Sequence, residues 1–234
     1  MNDSGNRSQV VRNCRNTGDF LRLIMDALCT AQGAVRWVDS TPDHIHHMRE
    51  IKRLIPDALF LNIVRDGRSV ARSLAAMAWI QPFTASELDR RIGAAAYWAN
   101  VVSVGEAEAR HIGGDCLDLR YEELVREPRL AVARIAEFID QPLDWDDIQR
   151  RGIGSVGVPN SSFARRAGTQ DDAPSERTHH DPLEQEVERA LRPTLERLGY
   201  AVGDGTAPRA VTRLLYAAHR ARFAARGALK RVPF

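Results

Sequence analysis

The four residues Arg65-Asp66-Gly67-Arg68 follow a near-continuous apolar run, Ala58 to Val64, and lead into a helical pattern. A strand ending in such a turn gathers free backbone N–H groups and the positive end of a helix dipole at one point, which suits phosphate or sulfate. Arg65 stands at the carboxyl end of the run, the edge where open α/β sheets place their ligands. Gly67 permits close approach of a ligand or of backbone. Ser73 comes eight residues after Arg65, roughly 10–12 Å along a helix axis at 1.5 Å per residue. It follows Ser69 by four positions, so both hydroxyls share a helix face. A solvated turn with a structural Arg–Asp pair accounts for the same residues. A second cluster, His44-x-His46-His47-x-x-Glu50, has i, i+3 pairs that would put three ligands on one face of a helix. A solvated polar face is the favoured reading, and no metal is expected.

Positioning these groups requires strands and helices. From Asp19, the residues Phe20, Leu23, Ile24, Ala27 and Leu28 recur at helical spacing, with Gly33 as a stop. An apolar patch at Val35 to Val38 runs into Ser40-Thr41-Pro42, a hydroxyl cap with proline at the first helical position. That start predicts a helix to about Leu54, closed by Pro56. The run 58–64 has the pattern of a strand covered on both faces in a parallel sheet, and Cys116 to Arg120 is a second short strand. Helices are expected from Ser69 to about Trp79, from Glu87 to about Ile112, from Pro128 to Ile139, from Asp144 to Arg151 and from Glu184 to Leu198. Gly113-Gly114 and Gly199 act as stops. Trp37 is expected in the core. Residues 152–182 form a long loop, of a length that is usually functional or mobile. Residues 207–232 carry seven basic residues and no acidic one, the pattern of an amphipathic helix docked on the domain, with contact to an anionic surface as the minority reading.

The 234 residues, 44% of them hydrophobic, can bury a sizeable core, which excludes a disordered chain or a small disulfide scaffold. With 33 basic and 31 acidic residues the net charge is +2, so the whole chain is no polycation for nucleic acid. Any anion site is local. Only Lys52 and Lys230 are lysines; the remaining basic residues are arginines, well shaped for bidentate phosphate or sulfate contacts. The three cysteines lack C-x-x-C spacing, which fits a reducing cytoplasm. No run has the length of a membrane span. No G-x-x-x-x-G-K-(S/T) occurs, which disfavours a P-loop kinase.

The stretch P-D-A-L-F-L-N-I-V-R-D-G-R-S-V-A-R-S-L, Pro56 to Leu74, resembles the 3'-phosphate-binding segment of sulfotransferases that use 3'-phosphoadenosine 5'-phosphosulfate (PAPS). Its V-R-D-G-R form is similar to bacterial and tyrosylprotein sulfotransferases. Three further stretches occur in the family's order: Arg36-Trp37-Val38-Asp39-Ser40-Thr41-Pro42 resembles its W-x-(D/E)-K-T-P element, Leu119 to Val125 its R-Y-E-D-L-V element, and Leu195 to Tyr200 its closing helix. The resemblance implies an α/β fold of three layers, P-loop-like, with a parallel sheet. It implies that Arg65 and Ser73 hold the 3'-phosphate of PAPS and that Tyr121 borders the adenine. Arg165 and Arg166 loosely match a late basic loop over the same phosphate. Asp39, at the acidic position of the W-x-D element, is a candidate base whose structural alternative is to brace the Thr41-Pro42 helix start. His44 is a second candidate base, by its place on the following helix and its near-neutral pKa.

Two departures from the family pattern shape the expectations. The family's G-x-x-R-S-G-T-T loop, which cradles the 5'-phosphosulfate, has no counterpart; Gly5-Asn6-Arg7-Ser8 mimics four of its letters without a preceding strand. Ser40 stands where the family commonly has lysine. The chain is therefore expected to lack the domain's first strand and loop, with a disordered or truncated lead-in at 1–18, the C-terminal two-thirds of the domain at 19–204 and a basic helical tail at 205–234. The function implied is transfer of a sulfuryl group from PAPS to a hydroxyl or amine of a small-molecule, glycan or peptide acceptor. The alternative is a truncated or degenerate module that binds a nucleotide 3'-phosphate without catalysis.

Overall fold

The computed structural model describes residues 14–150, 181–203 and 205–230. Their contacts form two compact units, one of residues 14–61, 103–116 and 227–230, the other of 62–102, 117–150, 181–203 and 205–226. Most of the lead-in and nearly all of the long loop lie outside the described residues.

In the first unit, helix α1 (Thr17–Gln32) starts where the Asn16 side chain accepts from the Asp19 N–H, and it stops at Gly33, whose φ of 64° favours glycine. It meets α2 (Met48–Leu54) through its first turn, where a Cβ on Gly18 would lie 2.6 Å from the Leu54 carbonyl oxygen. Because the contact is made at that end, Phe20, Leu23, Ile24 and Leu28 remain 39–47% exposed despite their amphipathic spacing. The helix expected from Thr41 to Leu54 is two pieces, a 3-10 turn (Pro42–His46) and α2, broken at His47. Val35 and Val38 are exposed, and Trp37 is half-buried rather than in the core. The buried Glu108 carboxylate is compensated by Arg49, which donates to it through Nε and Nη2. Lys52 pairs with Asp115 at 2.6 Å.

The strands β1 (Phe60–Val64) and β2 (Cys116–Arg120) lie side by side in a two-stranded parallel sheet, as an α/β reading requires. Asn62 Nδ2 donates to Asp118 across it at 2.7 Å. Between them run α3 (Gly67–Ala76) and α4 (Glu87–Ile112), the crossover that parallel strands need. The expectation that β1 is covered on both faces is not met. Phe60, Asn62 and Val64 are half-buried, while Leu61 and Ile63 are 42% and 50% exposed, because among the described residues nothing covers their face.

After β2 come α5 (Tyr121–Arg126), α6 (Pro128–Phe138), α7 (Trp145–Arg150), α8 (Pro182–Arg197) and α9 (Ala210–Lys230). The core of the second unit joins Ala71 and Ala75 of α3, Ile92, Trp98 and Ala99 of α4, Leu191 and Leu195 of α8, and Phe223 of α9. Gly67, Ala71 and Ala75 form a buried stripe of small residues along α3. Arg68 and Arg72 of α3 pair with Glu188 and Glu184 of α8. The basic helix α9 is docked in the same unit. Its first turn is capped by buried Glu186, which accepts from the Arg209 N–H and the Thr212 hydroxyl. Farther along, buried His219 sits 2.6 Å from buried Asp89 through Nε2 and 2.9 Å from Arg222 through Nδ1. Guanidinium only donates, so Nδ1 accepts and the ring proton faces Asp89.

Candidate functional site

Each strand of the sheet hands over to one candidate residue: Arg65 follows β1 and Tyr121 follows β2. Parallel pairing brings the two carboxyl ends together. The Arg65 guanidinium lies over the Tyr121 ring, 4.6 Å from its centroid. Ser69 and Ser73 are both on α3, the first half-buried and the second exposed.

The turn itself is organised by carboxylates. Asp66 caps α3 by accepting from the Arg68 N–H at 2.8 Å, and it also binds the Arg68 guanidinium, with Nη2 at 2.6 Å. Arg68 donates in addition to Glu188 at 2.9 Å, and its bonds to Asp66 and Glu188 raise its proton affinity further against the opposing effect of burial. The structural Arg–Asp pair of this turn is therefore Arg68 with Asp66, while Arg65 packs against Tyr121. The free N–H groups expected here are partly engaged. The Asp66 N–H donates to Glu122 Oε1 at 2.8 Å and that of Arg68 to Asp66, so these two N–H groups already have partners within the protein. Gly67 also differs from expectation. It is buried, and a Cβ there would lie 2.5 Å from Cε3 of Trp98, so its small size serves packing rather than ligand approach.

Two residues without an assigned role from sequence complete the site. Trp98 Nε1 donates to the Arg65 carbonyl at 3.1 Å. Glu122 accepts through Oε2 from the Tyr200 hydroxyl at 3.1 Å, and the Arg120 guanidinium lies 4.7 Å from the Tyr200 ring centroid. Burial, with Glu122 beside it, pushes the Tyr200 phenol well above its ordinary range. Glu122 stands inside the R-Y-E-E stretch, where a signal existed; nothing near Trp98 in sequence marks it.

Asp39 and His44 belong to the first unit. Asp39 Oδ1 accepts from both the Thr41 hydroxyl, at 2.7 Å, and the Thr41 N–H, at 2.8 Å, and the hydroxyl bond holds its carboxyl below the usual range. It thus braces the start of the 3-10 turn. Its other oxygen lies 3.8 Å from His44 Nε2, which makes the two candidate bases a pair. The break at His47 also disrupts the single helix face on which His44, His47 and Glu50 were to align. Among the described residues no group of three or more His, Cys, Asp or Glu side chains is placed to hold a metal. Arg165 and Arg166 lie outside the described residues.

A family model described as the sulfotransferase family matches residues 7–147, more than half of the chain. Protein-tyrosine sulfotransferase A of Caenorhabditis elegans is 31% identical over 98 residues, covering 42% of this chain and 25% of that protein. The protein-tyrosine sulfotransferase of Drosophila melanogaster is 33% identical over 108 residues, 46% of this chain and 21% of that protein. The chain thus matches a quarter or less of the length of these relatives.

Proposed function

The chain belongs to the sulfotransferase family, and from that premise we propose that it transfers a sulfuryl group from PAPS to a hydroxyl, with a protein or peptide tyrosine as acceptor by likeness to the two named relatives. The observation that carries this reading is the Arg65–Tyr121 pair at the carboxyl ends of adjacent parallel strands. On this reading the cation would take the 3'-phosphate and the aromatic ring would border the adenine, with Ser73 on the helix that follows. The fold is then of the three-layer, P-loop-like kind. Sulfuryl transfer resembles phosphoryl transfer: positioning and cationic contacts carry most of an in-line displacement, and a base takes the acceptor proton. That chemistry requires no metal. Between the two candidate bases His44 is preferred, because Thr41 holds Asp39 in its ionised, weakly basic form.

A second reading, nucleotide 3'-phosphate binding without transfer, is favoured by the same engagement of Asp39 and by Ser40 in place of the family's usual lysine. Adenosine 3',5'-bisphosphate should raise the melting temperature of the chain, as linkage requires. Arg65→Ala should weaken that binding roughly 10- to 100-fold, the range for a lost hydrogen bond to a charged group. Equal shifts for wild type and variant would reject the site. Transfer of labelled sulfuryl from PAPS to a tyrosine peptide separates the enzyme from the binding module.

A further inference from the structure

We propose that Glu122 and Trp98 are the positioning residues of the Arg65 turn, acting as a clamp on a single peptide group. The C=O of Arg65 and the N–H of Asp66 belong to the same peptide plane. The first accepts from Trp98 Nε1 at 3.1 Å and the second donates to Glu122 Oε1 at 2.8 Å. Both hydrogen-bonding groups of that plane are held from outside the turn, one by α4 and one by α5. Rotation of the plane would break both bonds at once, so the clamp fixes ψ of Arg65 and with it the direction in which the chain leaves the strand. The bond to Glu122 is charge-assisted and therefore the stronger.

The clamp is itself braced. Trp98 is 6% exposed and fills the space beside Gly67, so its indole has no room to turn away. Glu122 is fixed through its second oxygen by the Tyr200 hydroxyl, and Tyr200 carries the Arg120 guanidinium on its ring. The neighbour of Glu122 in sequence, Tyr121, takes the Arg65 guanidinium. One short segment, 120–122, thereby sets both the backbone of Arg65 and the resting place of its side chain. This preorganises Arg65 for an anion before any ligand arrives. The inference rests on the donor-site reading for its ligand but not for its geometry.

Two measurements test it on the chain as it stands. Hydrogen exchange at the Asp66 amide reports the clamp directly. Glu122→Ala should speed that exchange, and Glu122→Gln, whose amide oxygen still accepts the N–H and whose NH2 can donate to the Tyr200 oxygen, should largely restore protection. Unchanged protection in E122A overturns the clamp. Calorimetric titration with adenosine 3',5'-bisphosphate reports its consequence: affinity about tenfold weaker in E122A, substantially recovered in E122Q, with Trp98→Phe intermediate. Wild-type affinity in an E122A chain that has lost Asp66 protection overturns the positioning role. Affinity unchanged by Arg65→Ala instead rejects the donor-site reading, and the exchange experiment then still decides the clamp.

Discussion

The turns at Asp39 and Asp66 both open with an aspartate bonded two residues ahead, yet their supports differ in reach. Asp39 bonds to Thr41 and lies near His44, all within a few positions. The Asp66 turn is held by Trp98, Glu122 and Glu188, through bonds that span 33, 56 and 120 residues. A local brace forms with its own few residues and is lost with them. A turn tied to three distant helices forms only when the unit has closed long loops, and once formed it is rigid. Rigidity of the second kind suits a group that must meet a fixed anion; the first kind suits a helix start.

That contrast can be broken at either turn, and the expected effects descend in order. Trp98→Ala removes a buried ring from the core and the donor to Arg65, and should cost about 3–5 kcal/mol in urea unfolding. A loss below about 1 kcal/mol would show that the distant support is dispensable. Gly67→Ala places a methyl against the same ring and should cost about 1–3 kcal/mol by overpacking. At the other turn, Asp39→Ala removes a half-exposed brace and should cost at most about 1 kcal/mol. Its carboxyl is held below its ordinary value of 3.8. Its contribution is therefore complete above that pH and fades as pH falls through the lower folded value. Asp39→Asn should flatten that acid limb alone; a change near neutral pH would mean that Asp39 couples to His44 more strongly than the geometry indicates.

Local signals placed the elements well. Gly33 and Gly199 stop helices with φ of 64° and 72°, and β2 spans Cys116–Arg120, the bounds expected from sequence. What escaped was everything set by distant partners. An apolar run states which residues avoid water and not what covers them, so β1 was expected to be buried on both faces while Leu61 and Ile63 are exposed. Gly67 signalled a close approach correctly, but the approaching group is Trp98, 31 positions on in the chain. The resemblance assigns Arg65 and Tyr121 to one ligand, while the stacking of the guanidinium on the ring needed coordinates. The R-Y-E-E stretch marks Glu122 as a residue of the site, but its bond to the Asp66 N–H needed coordinates, because side-chain pattern does not record which backbone group a carboxylate meets.

Trp98 gives the Arg65 turn an optical and magnetic signature of its own. Of the four tryptophans it is the one at 6% exposure; Trp79 is 57% exposed, and Trp37 and Trp145 are half-buried. Its indole proton ends on the Arg65 carbonyl, so the resonance of that proton registers the state of the turn without an added label. In a chain where Trp98 is the sole indole, its emission would report water entering beside Gly67, making the opening of the strand end visible in real time.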